Sequence, residues 1–522
     1  MPKRKSQQSI RSQKPGRLDP RHYSWNVFND FSAYQTYFTL LVIAYVLYAG
    51  WNFFQGKGHE VGAASLITFS SLLPVYLWTR GSIQGLPIYP IYSFTYLYTF
   101  ALQIINRDRV TDVMGKFTAS PSDLWASAAI VSACLLAGTL TWFLIQKKQQ
   151  RPPDFCHSFR DNVVNQTTLA LFIASTMITL GFATEKIYFL GKLSTAAQAF
   201  AGTLSTVTGF VLAYRLARNE LATPLKITFI IFLILNLIAN SASLLLIGAI
   251  SLAGTVLVGY TLGKKKVPWL ALVLFLPLAF ILHEGKGEMR VKYWNQQTAV
   301  ASVSLTDYPT FFMEWFDYGW GNITEPVETV EDERSDLLER SGLIQILLVP
   351  YFMSPDILPY VDGETYKDLP LMLIPRIFYP DKPIAHAGQR YLSVYYMLQD
   401  ENSTLTTSIG WGLLAEAYAN FAIWGSIGLG AVLGWFFGLV ARMSAKVPLM
   451  TFRGIIGVLT FGFAIQSEMT SGVWVGAYAQ ALIIVIGIRL VLMHRMPNPL
   501  ANQQSNPHAA TQGKRHHSVR RL

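Results

Sequence analysis

Apolar stretches long enough to cross a bilayer recur through this sequence, and that feature leaves the chain few folds. A bilayer core takes about 20 apolar residues per helix. Candidate spans lie at 32–52, 60–79, 87–105, 123–146, 166–183, 196–216, 225–240, 243–262, 267–283, 423–441, 452–467 and 472–493. The expectation is an all-α polytopic membrane protein of about twelve transmembrane helices. Composition agrees, because charged residues are 14% of the chain, against roughly 25% in ordinary soluble proteins. That argues against a soluble enzyme, a disordered scaffold and a disulfide-stapled domain. Only Cys134 and Cys156 are present, too few for a disulfide framework or a cysteine metal site.

The net charge of +11 is an orientation signal rather than a nucleic-acid one. Residues 284–408 hold 19 of the 31 acids and 9 of the 42 bases. The other bases gather at the termini and in short loops, as the positive-inside rule requires of cytosolic segments. Arg80, the 147–160 loop, Arg442 with Lys446, and both termini are therefore expected in the cytosol. Arg215 and Arg218 precede the 225–262 stretch and Lys264, Lys265 and Lys266 follow it. Two crossings between them satisfy the charge, with the turn at Asn240, Ser241 and Ser243.

The expected organisation follows. A basic cytosolic tail occupies 1–31, and nine helices cross within 32–283. A large external, periplasmic-side loop fills 284–408. A re-entrant or interfacial helix and the last three spans lie in 409–493, and a second basic cytosolic tail in 494–522. The N-terminal apolar run is a span and not a removable signal, since it is too long and no cleavage site follows. The external loop carries apolar patches at Leu343–Tyr351 and Leu369–Phe378, so part of it should fold as interfacial helices. Gly319–Arg334 is polar and acid-rich, and is its expected mobile stretch.

Chemistry concentrates in two places. Leu369–Arg390 reads LPLMLIPRIFYPDKPIAHAGQR, where prolines 375, 380 and 383 preclude a regular helix. A rigid turn presenting Arg376 and Lys382 suits a phosphate or diphosphate, Arg as a bidentate fork and Lys as a point charge. The competing structural role is pairing with lipid headgroups or with acids of the same loop. In 409–425, IGWGLLAEAYANFAIWG, Glu416 sits in an otherwise apolar run, and an ionisable residue at membrane depth is a functional candidate by default. Its structural alternative is a salt bridge to an arginine of the loop.

The PRxxxPDKP of Pro375–Pro383, Gly388, the Ser/Thr patch at 403–408 and GLLAEAYANF together resemble the O-antigen and oligosaccharide repeat-unit polymerases, the Wzy-type membrane proteins. The chain departs from that family's pattern at Tyr379 and Ala422, without change of charge. The resemblance implies polymerisation of undecaprenyl-diphosphate-linked glycan units on the external face of the cytoplasmic membrane. Donor and acceptor would both be lipid-linked glycans, with membrane lipids, a flippase and a chain-length regulator as further partners. It implies a glycosyltransferase that needs no nucleotide, because the lipid diphosphate is already an activated leaving group. No cofactor or essential divalent ion is expected, since the first external loop, 53–59, is short and only Glu60 borders it.

Roles assigned by residue type put Arg376, Lys382 and Arg290 on the developing diphosphate charge, with Arg340 and Arg390 in reserve. Glu416 is the first choice for the base that takes the acceptor proton, and His386 the second. Tyr379, Trp411 and Tyr418 could stack on sugar rings, although aromatics abound in any membrane interface. Glu468 is a spare acid. Asn236 and Asn240 read as interhelical hydrogen-bond donors. The rival functions are a ligase using the same donor, and a transporter or flippase of lipid-linked glycans. The second is disfavoured by spans nearly free of ionisable residues.

Overall fold

The computed structural model describes residues 31–83, 85–106, 112–113, 117–147, 151–159, 164–184, 186–187, 194–244, 246–264, 266–295, 300–301, 303–324, 342–375, 378–379, 381–406 and 409–501. They form a helical multi-pass membrane protein. Seven helices are long and apolar enough to cross a bilayer: Tyr34–Phe54, Gly58–Thr79, Pro121–Lys147, Val164–Ala183, Thr223–Ala242, Gly412–Ser444 and Ser471–Leu492. An eighth is reached if Trp269–Glu284 and Lys286–Tyr293, bent by 53°, form one span.

The remaining stretches among the twelve are also helical. Phe452–Ala464 has 13 residues, roughly 20 Å at 1.5 Å per residue, against a core of about 30 Å. Ile88–Tyr96 runs through a π-helical turn at Leu97–Ala101 before Leu102–Asn106. Ser194–Ala217 is the most polar of the long helices, and Leu246–Lys264 is separated from Thr223–Ala242 by a turn at Leu244, φ 55°. The 225–262 stretch is thus two helices, broken just after Asn240.

Small residues let the central helices approach closely. In Gly412–Ser444, Ser426, Gly430, Gly434 and Gly438 recur every four residues along one face, which packs on Pro121–Lys147. A Cβ on Gly430 would lie 1.9 Å from the Cys134 carbonyl oxygen, and one on Gly434 2.1 Å from that of Gly138. Close backbone approach of this kind is how helices associate in lipid, where apolar burial drives little. Thr141 Oγ1 donates to Ala431 O at 3.0 Å and Gln146 Nε2 to Gly438 O at 3.1 Å. In the neighbouring bundle Asn236 Nδ2 donates to Thr176 Oγ1 and Ser205 Oγ, the interhelical role expected of it. Asn240 instead donates within its own helix, to Asn236.

The described loops sort to two sides. Phe155–Phe159 pairs antiparallel with Met493–Pro497, Ser158 bridges Thr451, and Asn498 Nδ2 donates to Pro153 O and Lys446 O. The segments flanking 151–159, 445–451 and 493–498 therefore meet at one end, with Lys147, Arg442 and Lys446. The opposite ends of the same helices bear Asp123 and Glu468.

The segment between Glu284 and Ile409 is folded in part. Tyr308–Thr324 packs on Trp269–Glu284, with Gly285 and Gly319 in close approach. The expected mobile stretch needs correction: Gly319–Thr324 completes this helix, because Asn322 Nδ2 ties it to Glu284 O and Glu288. The rest of that stretch lies outside the described residues. Leu343–Met353 is buried, with Ile344, Leu347 and Leu348 fully covered. An apolar helix without a polar face belongs inside a structure, so this one lies in the core rather than along an interface.

Candidate functional site

The long Gly412–Ser444 helix is broken at Phe421 (φ −138°, ψ 25°) and Ala422 (φ 51°, ψ −142°). A helix end leaves its last carbonyls without intrahelical partners, and here the 361–365 segment supplies them. Val361 N donates to Ala419 O at 3.0 Å and Asp362 N to Asn420 O at 3.3 Å. Asn420, fully buried, accepts from Gly363 N at 2.9 Å. Its Nδ2 donates to Thr365 Oγ1 at 2.9 Å and to Glu416 O at 2.7 Å. Gly363 has φ 89°, a conformation glycine adopts without strain. Tyr366 stacks on Phe421 at 6.1 Å. Burial, and then the neighbouring Glu416 charge, push its phenol well above the ordinary value.

Glu416 has no solvent exposure. Its Oε2 accepts the N–H of Ser471 at 2.6 Å, and Ser471 is the first residue of Ser471–Leu492. The carboxylate therefore sits where the first N–H groups of a helix lack partners and the macrodipole favours an anion. Among the described residues Oε1 has no hydrogen-bond partner, and Glu416 enters no ion pair. The alternative of an arginine salt bridge is thus replaced, within those residues, by the end of a helix.

A cleft of about 190 Å³ opens beside this carboxyl, lined by Glu364, Thr365, Lys367, Asp368, Leu369, Met372, Ile384, Ala385, Ala387, Gly388, Tyr391 and Gly472. Gly388 forms the partition. A Cβ there would lie 3.3 Å from Thr365 Cβ and 3.7 Å from Glu416 Oε1. A Cβ on Gly472 would be 2.8 Å from Ala385 O. These two glycines bring the backbone of three segments together around the carboxyl.

The other expected site residues divide. Arg376 and Arg340 lie outside the described residues. Lys382 is buried, and its Nζ donates to Met372 O at 3.0 Å and Ile374 O at 2.8 Å. The ammonium thus covers carbonyls at and just past the end of Leu369–Met372. Arg390, in Ala387–Tyr395, is half-buried, and Asp400 is bound by Ser403 rather than by Arg390. His386 stands at the N-cap of that helix, exposed, with Nδ1 3.2 Å from Gln389 Oε1. Tyr379 is 40% exposed.

Three expectations need correction. Arg290 donates to Leu244 O at 3.1 Å, in a separate apolar cluster around Met289 and Trp315, so it does not join the cleft. Trp411 is fully buried against Tyr396, with Nε1 on Ser393 Oγ, and Tyr418 packs between Tyr351 and Tyr360. Rings covered in this way belong to the core and offer no free face to a sugar.

Sequence reasoning missed Asn420, Thr365 and Tyr391. Asn420 follows Glu416 by four residues, one helical turn, and that spacing was the available signal. Tyr391, stacked on Tyr395 at 5.6 Å, faces the cleft and had no distinguishing signal. Glu468 lies between the Phe452–Ala464 and Ser471–Leu492 helices, its carbonyl accepting from Gly412 N. Among the described residues no group of three His, Cys, Asp or Glu could hold a metal ion.

Fold and site together define a helical membrane protein with a buried, helix-capping carboxyl beside a small cleft. Comparison with family models, characterised proteins and solved structures gives no match for this chain.

Proposed function

We propose that the protein polymerises undecaprenyl-diphosphate-linked oligosaccharide repeat units on the external face of the cytoplasmic membrane. In this reading about twelve spans cross, both termini are cytosolic, and 284–408 is external. The observation that carries it is Glu416, one oxygen held by Ser471 N–H and the other without a described partner behind Gly388. An acceptor hydroxyl that passes from the cleft by Gly388 to reach Glu416 Oε1 gives its proton to this carboxylate and attacks the anomeric carbon of the donor. A new glycosidic C–O bond forms, the bond from that carbon to the lipid diphosphate breaks, and the diphosphate leaves. General-base help of this kind contributes about 10²- to 10⁴-fold.

Arg376 supplies the charge that receives the leaving group, with Arg340 and Arg390 in reserve. Lys382 acts indirectly, by fixing the backbone at Met372 and Ile374. On the cleft wall Glu364 is paired with Lys367, and Asp368 beside them favours a ligand with hydroxyl donors, as an acceptor sugar is.

The test is reconstitution of the purified protein with synthetic lipid-linked repeat units and analysis of the glycan by gel. A ladder of lengths is expected from the unaltered protein, and single units only from Arg376→Ala. Arg376→Lys should restore part of the ladder, since it keeps the charge and loses the bidentate fork. Transfer of a single unit to a non-glycan acceptor without a ladder would replace polymerase by ligase. A normal ladder from Arg376→Ala would refute the diphosphate assignment.

A further inference from the structure

At the far end of Ser471–Leu492 from the cleft lies a cluster that the proposed reaction does not use. The helix runs into Met493–Pro497, whose pairing sets Arg495 opposite His157. Arg489 Nη2, in the last helical turn, is 3.5 Å from His157 Nε2. The Arg495 guanidinium lies 4.3 Å from the Phe155 ring centre and that of Arg489 4.8 Å from Phe452, so the rings hold two of the cations in place. Arg453 opens the Phe452–Ala464 helix and bears on the same imidazole. Burial first, and then these three arginines, hold His157 below its ordinary pKa.

Among the described residues no counter-charge pairs with the cluster: Arg453, Arg489 and Arg495 enter no ion pair there, and Asp154 beside the strand enters none. Like charges set side by side repel, and several guanidinium forks without an acid have the chemistry of a phosphate site. The adjoining surface identifies which phosphate. Leu490 and Val491, next to Arg489, are 76% and 75% exposed. On a membrane-crossing helix such exposure faces acyl chains, so cation and lipid surface are continuous here.

We propose that Arg453, Arg489 and Arg495 bind the phosphate of an anionic phospholipid in the leaflet at this end, its chains lying along Leu490 and Val491. The site is independent of the cleft and of the proposed reaction.

Native mass spectrometry of the full chain, released from micelles containing phosphatidylglycerol or phosphatidylcholine, tests it. Phosphatidylglycerol should be retained in preference to phosphatidylcholine. Arg489→Gln with Arg495→Gln should weaken that retention roughly 30-fold, from the usual worth of two basic residues near a charged lipid surface. If that pair fails to fold, Arg453→Gln with Arg495→Gln, both exposed side chains, carries the same expectation. Equal retention of the two lipids, or wild-type retention by a folded variant, would overturn the proposal. Displacement of phosphatidylglycerol by millimolar inorganic phosphate would also overturn it, in favour of a free anion.

Discussion

Glu416→Gln separates a catalytic carboxylate from a structural one. The substitution is nearly isosteric and keeps an oxygen that can accept Ser471 N–H, now 2.6 Å from Oε2. It removes the charge. An anion at a helix N-terminus is worth about 0.3–1 kcal/mol, rising to about 2 in partly buried geometry, and a charge-assisted hydrogen bond is about twice as strong as a neutral one. A cost of roughly 1–2 kcal/mol follows. Breaking a buried ion pair would instead cost roughly 3–5 kcal/mol, and among the described residues Glu416 has no such pair. The variant should therefore insert, purify in normal yield and melt only slightly earlier. Glycan extension should fall by about 10²-fold or more while single lipid-linked units accumulate. The paired measurements are a melting curve in detergent and a glycan ladder. A folded variant that extends glycan at the wild-type rate would refute the base, and a variant that unfolds would restore the ion-pair explanation.

Four further outcomes are expected. Asn420→Ala removes the partners of Gly363 N and Thr365 Oγ1. At about 1–3 kcal/mol for each of the two buried groups left unsatisfied, it should cost roughly 2–6 kcal/mol and expose 361–366 to limited proteolysis. Gly430→Leu drives a side chain into the Cys134 carbonyl and should abolish accumulation in the membrane. Gly428→Ala, with nothing within 4 Å, should accumulate normally. Glu314 is held below the ordinary carboxylate range by hydrogen bonds from Lys292 and Tyr293. That contribution is present above the unfolded value and is lost as pH falls through the lower folded one. Hydrogen exchange in 286–293 should therefore speed up in acid and be less acid-dependent in Glu314→Gln. Single cysteines at Asp154 and at position 330 should react with membrane-impermeant reagents from opposite sides, cytosolic and external. Reaction of both from one side would refute the topology.

How far the site was legible follows from where its information lies. Glu416 was visible because a carboxylate in an apolar run is costly wherever that run goes. Gly388 and the proline turn were visible as local backbone constraints. The acceptor geometry was not, since Glu416 meets Ser471 across 55 residues and Asn420 meets Thr365 across the same distance. Trp411 and Tyr418 were misread because an aromatic near a membrane boundary is compatible with a core or an exposed face, and neighbours decide between them. Lys382 showed a charge and concealed its direction.

The sequence alone determined that this is a helical membrane protein, where most helices begin and end, and which loops share a charge. Those properties are local: lipid requires each backbone group to be satisfied within its own helix, so length and apolarity suffice to read them. Asn240 and the serines beside it, polar in a stretch too long for one span, likewise marked their turn. Tertiary structure alone decided that the Leu343–Met353 helix is core and that Lys382 turns inward onto carbonyls. It also decided that the broken end at Ala422, the head of Ser471–Leu492 and the 361–365 segment converge on one carboxyl. The physical reason is that helix ends are matched by shape and by unsatisfied N–H and C=O groups. Every helix has those groups, so no local pattern of side chains says which two ends will meet.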